Sequence, residues 1–119
     1  MPARILLLST ADTELLAAHS AGSFYRTANP ARLAAEALAP LLADPDAVVL
    51  RLLGGHRMWR WLVDAVRADG IPAVVLGGEA VPDAELMALS TVPAGVAAEA
   101  LNYLTAGGPA NLAQLANFL

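Results

Sequence analysis

Apolar residues along the chain are grouped either in short unbroken runs or at helical spacing. Three unbroken runs stand out: residues 4–10 (RILLLST), 46–55 (DAVVLRLLGG) and 71–78 (IPAVVLGG). Such runs are typical of strands buried on both faces of a parallel sheet. Residues 23–30 are predicted to hold a short edge strand, because Asn29 precedes a proline and therefore favours extended backbone.

A segment with apolar residues at helical spacing follows each of these runs. Residues 13–21 predict a helix with Asp12 as its N-cap and Gly22 as its stop. Residues 31–44 predict a second helix, which Pro40 is expected to break or kink. The third helix, residues 56–70, presents one apolar face formed by Met58, Leu62, Ala65 and Val66.

Three further helical pieces follow the last apolar run, at residues 83–89, 94–105 and 109–119. The alternation of strand and helix predicts a three-layer α/β fold with a mainly parallel sheet of three to four strands, flavodoxin/Rossmann-like, and a helical C-terminal segment. The length of 119 residues suits a single domain, 1–119. Within it, about residues 1–80 are predicted to form the sheet core and residues 81–119 a helical connector.

Charge and composition exclude several classes of protein. The net charge is −4 and all the basic residues are scattered arginines, so nucleic-acid and membrane-surface binding are not expected. There is no cysteine, which excludes disulfides and thiolate metal sites. The apolar runs fall far short of the roughly 20 residues that span a bilayer. We expect a soluble, cytoplasmic protein.

Candidate chemistry lies in the loops that follow the three apolar runs, because ligands of parallel sheets bind beyond the carboxyl ends of the strands. These loops are residues 9–12, 54–56 and 77–79. One interpretation makes them a ligand-binding rim, with Asp12, His56 and Glu79 as its polar groups. The other makes them tight turns, with Asp12 as a helix cap and His56 as a solvated helix start.

Known catalytic and nucleotide-binding motifs are absent from the sequence: it contains no G-x-G-x-x-G, no P-loop and no G-x-S-x-G. We therefore expect no catalytic residue, no resident metal and no cofactor in this segment, and His19 is predicted to lie on a helix surface. Four aromatic residues form either a ligand or partner patch or ordinary packing. They are Trp59, Trp61, Tyr103 and Phe118.

Several stretches nevertheless resemble a known family in order along the chain. They include RILLLSTADTELLAA, YRTANPARL, RLLGG, VVLGGE, PDAELMALSTVPAGVAAEA and GGPANL. Together they resemble the N-terminal region of the CobN family, the large subunit of aerobic cobaltochelatase, which is similar to the H subunit of magnesium chelatase. The resemblance covers nearly the whole chain and implies that the sequence is the N-terminal part of a much longer protein.

The resemblance implies an ATP-dependent enzyme that inserts Co²⁺ into hydrogenobyrinic acid a,c-diamide during cobalamin biosynthesis. Partners would be the rest of the CobN chain and the AAA+ type subunits CobS and CobT, which hydrolyse the ATP. No catalytic residue of the family can be assigned here, so the isolated segment is expected to be inactive and to assist tetrapyrrole binding or subunit assembly.

Candidate contacts to the carboxylates and amides of the corrin ring lie at the strand ends. Arg51 is the most unusual of them, because it interrupts an apolar strand and must lie at the rim or pair with a buried acid. Arg26 and Arg57 are further candidates. The full set is Ser9, Thr10, Asp12, Arg51, Gly54, Gly55, His56, Gly77, Gly78 and Glu79. Two alternatives stay open: a non-catalytic scaffold and a free-standing flavodoxin-like ligand-binding domain.

Overall fold

The computed structural model of the chain describes residues 5–53, 55–78 and 83–119, with residues 55 and 56 described by backbone alone. The strands are β1 (Ile5–Ser9), β2 (Tyr25–Ala28), β3 (Ala47–Leu52) and β4 (Ala73–Gly77). The helices are α1 (Asp12–Ser20), α2 (Leu38–Leu42), α3 (Gly55–Asp69), α4 (Ala84–Met87), α5 (Ala94–Ala106) and α6 (Gly108–Phe118). Two 3₁₀ turns, Pro30–Arg32 and Ala35–Ala37, lie between β2 and α2.

The strands form one parallel sheet in the order β2-β1-β3-β4. In the register of the sheet, Leu7 lies beside Thr27 on β2 and beside Val49 on β3, and Val49 lies beside Val74 on β4. The prediction of an α/β fold with a parallel sheet of three to four strands is confirmed, and residues 23–30 do hold an edge strand.

Alternate residues of the unbroken apolar runs face two separate cores. On β1, Leu6 and Leu8 contribute to one core, whereas Ile5 and Leu7 contribute to the other. Both faces of the sheet are therefore covered, which explains why the strands are apolar throughout rather than alternating.

The two faces of the sheet are covered by different helices. The first core receives side chains from α2, α3 and α4, and the second receives them from α1, α5 and α6. Leu112 and Leu115 of α6 are fully buried in the second core. The helices after residue 83 thus cover part of the sheet themselves, while the proposed division of the chain near residue 80 stays a prediction.

The predicted helix over residues 31–44 is wrong in its extent. Only Leu38–Leu42 is α-helical, and Pro40 lies inside that helix instead of breaking it. Proline is tolerated there because the N–H groups of a first helical turn have no partner within the helix. Proline therefore costs no hydrogen bond at this position.

The predicted apolar face of α3 is also wrong at one position. Met58 is 62% exposed, whereas its neighbour Trp59 is 7% exposed and belongs to the first core. The buried stripe of the helix is formed by Trp59, Leu62, Val63 and Val66. Met58 lies to the side of that stripe and so faces away from the sheet.

Helix lengths also bear on membrane association. Within the described ranges, none of the helices combines the length and the apolar character needed to cross a bilayer.

Candidate functional site

The loops predicted to form a ligand-binding rim meet at the carboxyl edge of the sheet. The backbone N–H of Thr10 donates to the carbonyl oxygen of Arg51 at 3.1 Å, and that of Gly78 donates to Leu52 at 2.8 Å. The hydroxyl oxygen of Thr10 accepts from the N–H of Leu53 at 3.2 Å. The ends of β1, β3 and β4 are therefore joined to one another, as their parallel order requires.

Arg51 is buried at this edge and is paired with an acid. Its Nη1 donates to Oε2 of Glu14 at 2.9 Å, and its Nε donates to the carbonyl oxygen of Gly77 at 3.2 Å. The side chains of Arg51 and Glu14 are only 8% and 12% exposed. Of the two positions expected for Arg51, the structure shows the pairing with a buried acid.

Ser9 completes the arrangement around Glu14. Its hydroxyl donates to Oε1 of Glu14 at 2.9 Å and accepts from the N–H of Ala11 at 3.1 Å. Both oxygens of the carboxylate therefore have a donor. Among the described residues, no buried side-chain nitrogen or oxygen lacks a hydrogen-bond partner. We call Ser9, Glu14 and Arg51 the buried polar cluster.

The acid of this cluster has a perturbed pKa. Burial raises the pKa of the Glu14 carboxyl, and this effect exceeds the lowering by the charge of Arg51 and by the hydrogen bond from Ser9. Burial and, to a smaller extent, the charge of Glu14 raise the pKa of the Tyr25 hydroxyl. That hydroxyl donates to the carbonyl oxygen of Leu112 at 2.6 Å, which ties β2 to α6.

Asp12 does not cap α1, contrary to the prediction. The cap position belongs to Ala11, whose backbone is extended, and Asp12 is already the first helical residue. The carboxylate of Asp12 instead accepts from Asn29 Nδ2 at 3.1 Å and from the guanidinium of Arg32. These hydrogen bonds, first that from Arg32, hold the pKa of Asp12 below its ordinary value.

Several of the predicted site residues cannot be placed. Gly54, Glu79 and the side chain of His56 lie outside the described residues. Gly55 opens α3 and Gly77 closes β4. At Gly78 a Cβ atom would lie 3.0 Å from both the Cβ and the backbone nitrogen of Leu53. This close approach requires glycine and fits the interpretation of the loop as a tight turn.

Glu14 was missed by the sequence-based prediction of the site. A signal for it was present, because an arginine inside a buried strand needs an acid nearby. In a parallel sheet, the helix that follows the neighbouring strand begins at the same edge, and Glu14 lies in the first turn of that helix. The first turn of α1 is therefore where the topology places an acid within reach of Arg51.

The remaining candidates lie apart from this cluster. Arg26 faces Asp44 at 3.6 Å, and Arg57 is exposed on α3. His19 is exposed on α1, as predicted, with its Nε2 2.9 Å from the Thr27 hydroxyl. None of these side chains extends the buried polar cluster.

The aromatic residues do not form one patch. Trp59 lies in the first core and its Nε1 donates to the carbonyl oxygen of Leu53 at 2.7 Å. Tyr103 packs against the second core, with its ring 5.8 Å from that of Phe118. The sheet separates these groups, and Trp61 is 39% exposed on α3.

Several cavities open on the described part of the chain. One of about 200 Å³ lies beside Glu14, between α1 and the turn that joins α5 to α6. Others of about 240 and 310 Å³ lie elsewhere on the surface. Sites for drug-sized ligands typically hold about 300–1,000 Å³, so the cavity at Glu14 is too small to enclose a tetrapyrrole. No group of three or more metal-ligating side chains occurs among the described residues.

Comparisons with known proteins identify one informative relative. No family model matches the chain, and no curated protein sequence does. A solved structure that is similar, the catalytic subunit of cobaltochelatase from Mycobacterium tuberculosis, superposes with a TM-score of 0.94 at 51% identity. The match covers 97% of this chain and 10% of that subunit. The resemblance to the cobaltochelatase family is confirmed, for a chain that spans a tenth of its relative's length.

Proposed function

Because the chain is similar over almost its whole length to part of a cobaltochelatase catalytic subunit, we propose that it acts as a domain of such a subunit. The observation that carries this proposal is the 51% identity over 97% of the chain. We place the domain in the N-terminal region of a longer chain, with residues 81–119 leading towards the next domain. The reaction of the whole enzyme would insert Co²⁺, as substrate, into hydrogenobyrinic acid a,c-diamide.

The part played by this domain would be assembly of the subunit rather than chemistry. Arg51 and Glu14 bond to each other and to Ser9, so the charges that could have met a substrate are engaged within the fold. Asp12 is likewise engaged with Arg32 and Asn29. The domain would thus offer a stable surface to the rest of the large subunit, while CobS and CobT would hydrolyse ATP.

A second candidate role is contact with the edge of the tetrapyrrole. It is favoured by the convergence of Ser9, Thr10, Gly77 and Gly78 at the carboxyl edge, where parallel sheets bind ligands. By their sequence positions next to the ends of β3 and β4, Gly54, Gly55, His56 and Glu79 are proposed as further contacts. Arg51 would then hold the carboxyl edge of the sheet in place, and the exposed Arg57 would bind a carboxylate of the ring.

A chimeric enzyme tests the proposed function. The matching segment of the M. tuberculosis catalytic subunit would be replaced by this chain, and cobalt insertion would be followed by corrin absorbance with ATP and both partner subunits. We expect the chimera to retain activity and a subunit lacking the segment to lose it. A chimera that folds and binds its partners but inserts no cobalt would contradict the proposal.

Titration of the isolated chain with hydrogenobyrinic acid a,c-diamide separates the two roles. Tryptophan fluorescence would report binding, with Arg57→Ala as the variant and Arg67→Ala on the same helix as its control. The assembly role predicts no saturable binding. Saturable binding that weakens only in Arg57→Ala would establish contact with the tetrapyrrole instead.

A further inference from the structure

The outer side of β4 is an edge of the sheet, because β4 is the last strand in the order β2-β1-β3-β4. Its inner side pairs with β3, where the N–H of Val48 donates to the carbonyl oxygen of Pro72 at 2.9 Å. Successive residues of a strand direct their N–H and C=O groups to alternate sides. The main-chain groups of Ala73 and Val75 therefore point away from β3, towards the edge.

Ser90 and Thr91 satisfy each of these outward groups. The N–H of Ala73 donates to Oγ1 of Thr91 at 2.8 Å, and the N–H of Thr91 donates to the carbonyl oxygen of Ala73 at 2.8 Å. The N–H of Val75 donates to Oγ of Ser90 at 2.8 Å, and the Ser90 hydroxyl donates to the carbonyl oxygen of Val75 at 3.3 Å. Because a hydroxyl both donates and accepts, these two residues make the bonds that a neighbouring strand would otherwise make.

The segment between α4 and α5 passes round this edge from one face of the sheet to the other. Helix α4 contributes to the first core and α5 contributes to the second. Between them, Leu89 packs against the first core and Val92 packs against the second. We call residues 89–92 the edge strap. Apolar contacts at both of its ends hold Ser90 and Thr91 against β4.

The two edge strands of the sheet need different protection. Strand β2, at the other edge, has four residues, and Arg26 and Thr27 within it are only partly buried. A short strand with a charged side chain discourages pairing with another chain. Strand β4 has five residues, all of them buried and none of them charged. An apolar edge with free main-chain groups would pair readily with a strand of another molecule, so β4 depends on a cover.

We propose that the edge strap is an autoinhibitory contact, which occupies the pairing edge of β4 and so keeps a second copy of the chain from adding to the sheet. The bonding pattern supports this, because the strap engages the N–H and C=O groups that an added strand would need. Only one of its four bonds joins main chain to main chain. Two-fold symmetry would pair the uncovered β4 edges of two copies with each other. The contact lies wholly within the chain, so it does not depend on the proposed role in a cobaltochelatase subunit.

Hydrogen exchange followed by NMR tests the cover in the wild-type chain. The amides of Ala73 and Val75 should be protected to within about tenfold of the amide of Val74, which lies on the β3 side. Exchange of the Ala73 and Val75 amides at the rate of unstructured amides would overturn the inference, because the strap would then not hold the edge.

Removal of the two hydroxyls tests whether the strap keeps the edge closed. The strap variant, Ser90→Ala with Thr91→Val, leaves the outward N–H groups of Ala73 and Val75 without their acceptors, while valine keeps the shape of threonine. At low protein concentration both amides should exchange at least about tenfold faster than in the wild type. As the concentration rises, sedimentation should show a dimer, in which the protection of both amides returns.

A matched control removes two hydroxyls at exposed positions. Ser20→Ala with Thr105→Val alters α1 and α5 and should keep the oligomeric state of the wild type. A folded strap variant that also keeps this state at every concentration would overturn the inference. So would a dimer of the strap variant in which the amides of Ala73 and Val75 stay unprotected, because its contact would lie elsewhere.

The single variant Thr91→Val provides the test if the strap variant does not fold. It keeps both bonds between Ser90 and Val75 and loses only the acceptor of the Ala73 N–H. We expect faster exchange of the Ala73 amide and a dimer at higher concentration than for the strap variant. Retention of the wild-type oligomeric state by folded Thr91→Val would overturn the inference.

Discussion

Two carboxylate–arginine ion pairs on the first turn of α1 differ in how far their side chains are exposed to solvent. Glu14 pairs with Arg51 at 2.9 Å, and the two side chains are 12% and 8% exposed. Asp12 pairs with Arg32, and these side chains are 59% and 65% exposed. The acids are two residues apart on the same helix, yet one pair lies inside the carboxyl edge and the other lies in solvent.

Burial changes what each pair contributes. Water can replace either partner of the exposed pair, so its loss has little effect on stability. The inner pair is largely shielded from water, so removal of one partner leaves a mostly buried polar group without its counter-charge. The same contrast appears in the pKa directions, because burial raises the pKa of Glu14 while Arg32 and Asn29 lower that of Asp12.

The largest expected effect comes from Arg51→Ala. It leaves Glu14 buried without its cation and removes the donor to Gly77, and we expect a loss of about 3–5 kcal/mol in the free energy of unfolding. Urea denaturation followed by tryptophan fluorescence would measure it. Arg32→Ala is the matched control and should change the midpoint only slightly. Similar losses of unfolding free energy in the two variants would show that burial does not distinguish the two ion pairs.

A smaller loss is expected from Ser9→Ala. Ser9 is fully buried and its hydroxyl donates to Oε1 of Glu14. Hydrogen bonds to charged groups contribute about 1.5–3 kcal/mol, so we expect a loss in that range by the same denaturation assay. Thr13→Ala, at an exposed position of α1, serves as the control. An unchanged midpoint in Ser9→Ala would show that the hydrogen bond from Ser9 to Glu14 does not stabilise the fold.

The smallest effect is on the dependence of stability on pH. Since the pKa of Glu14 is raised above 4.5 in the folded state, the folded protein binds this proton more tightly than the unfolded chain does. Its contribution to stability is therefore present below pH 4.5 and is lost as pH rises through the folded pKa. Asp12 acts oppositely: its contribution is present above pH 3.8 and is lost as pH falls through its lowered pKa.

Melting temperatures measured from about pH 3 to about pH 8 test these signs. Glu14→Gln should remove the decline in stability above pH 4.5, even though its overall stability is lower. Asp12→Asn should remove part of the loss below pH 3.8. Parallel curves for the wild type and Glu14→Gln would show that Glu14 titrates alike in the folded and unfolded states.

Much of the fold follows from local pattern. Continuous apolar runs locate β1, β3 and β4 to within a few residues, because both faces of these strands are covered. Asn29 before Pro30 indicates the extended edge strand. Pro40 led to the wrong prediction of a helix break, because a first helical turn tolerates proline. The sequence alone does not show that the helix begins only two residues earlier, at Leu38.

The candidate site was harder to predict because its contacts join distant parts of the chain. Sequence order places Ser9, Thr10 and Arg51 at strand ends, and the structure brings them together. The pairing of Arg51 with Glu14 joins positions 37 residues apart. The interaction of Asp12 with Arg32 likewise depends on how the chain returns after β2. Neither pairing has a local signature.

The central claim is that Arg51 and Glu14 stabilise the fold by pairing with each other at the carboxyl edge of the sheet. A double-mutant cycle on Arg51→Met and Glu14→Met tests this claim most directly by urea denaturation. We predict that each single variant loses about 3–5 kcal/mol and that the double variant loses much less than their sum, because no buried charge is left unpaired. Losses that simply add would contradict the account.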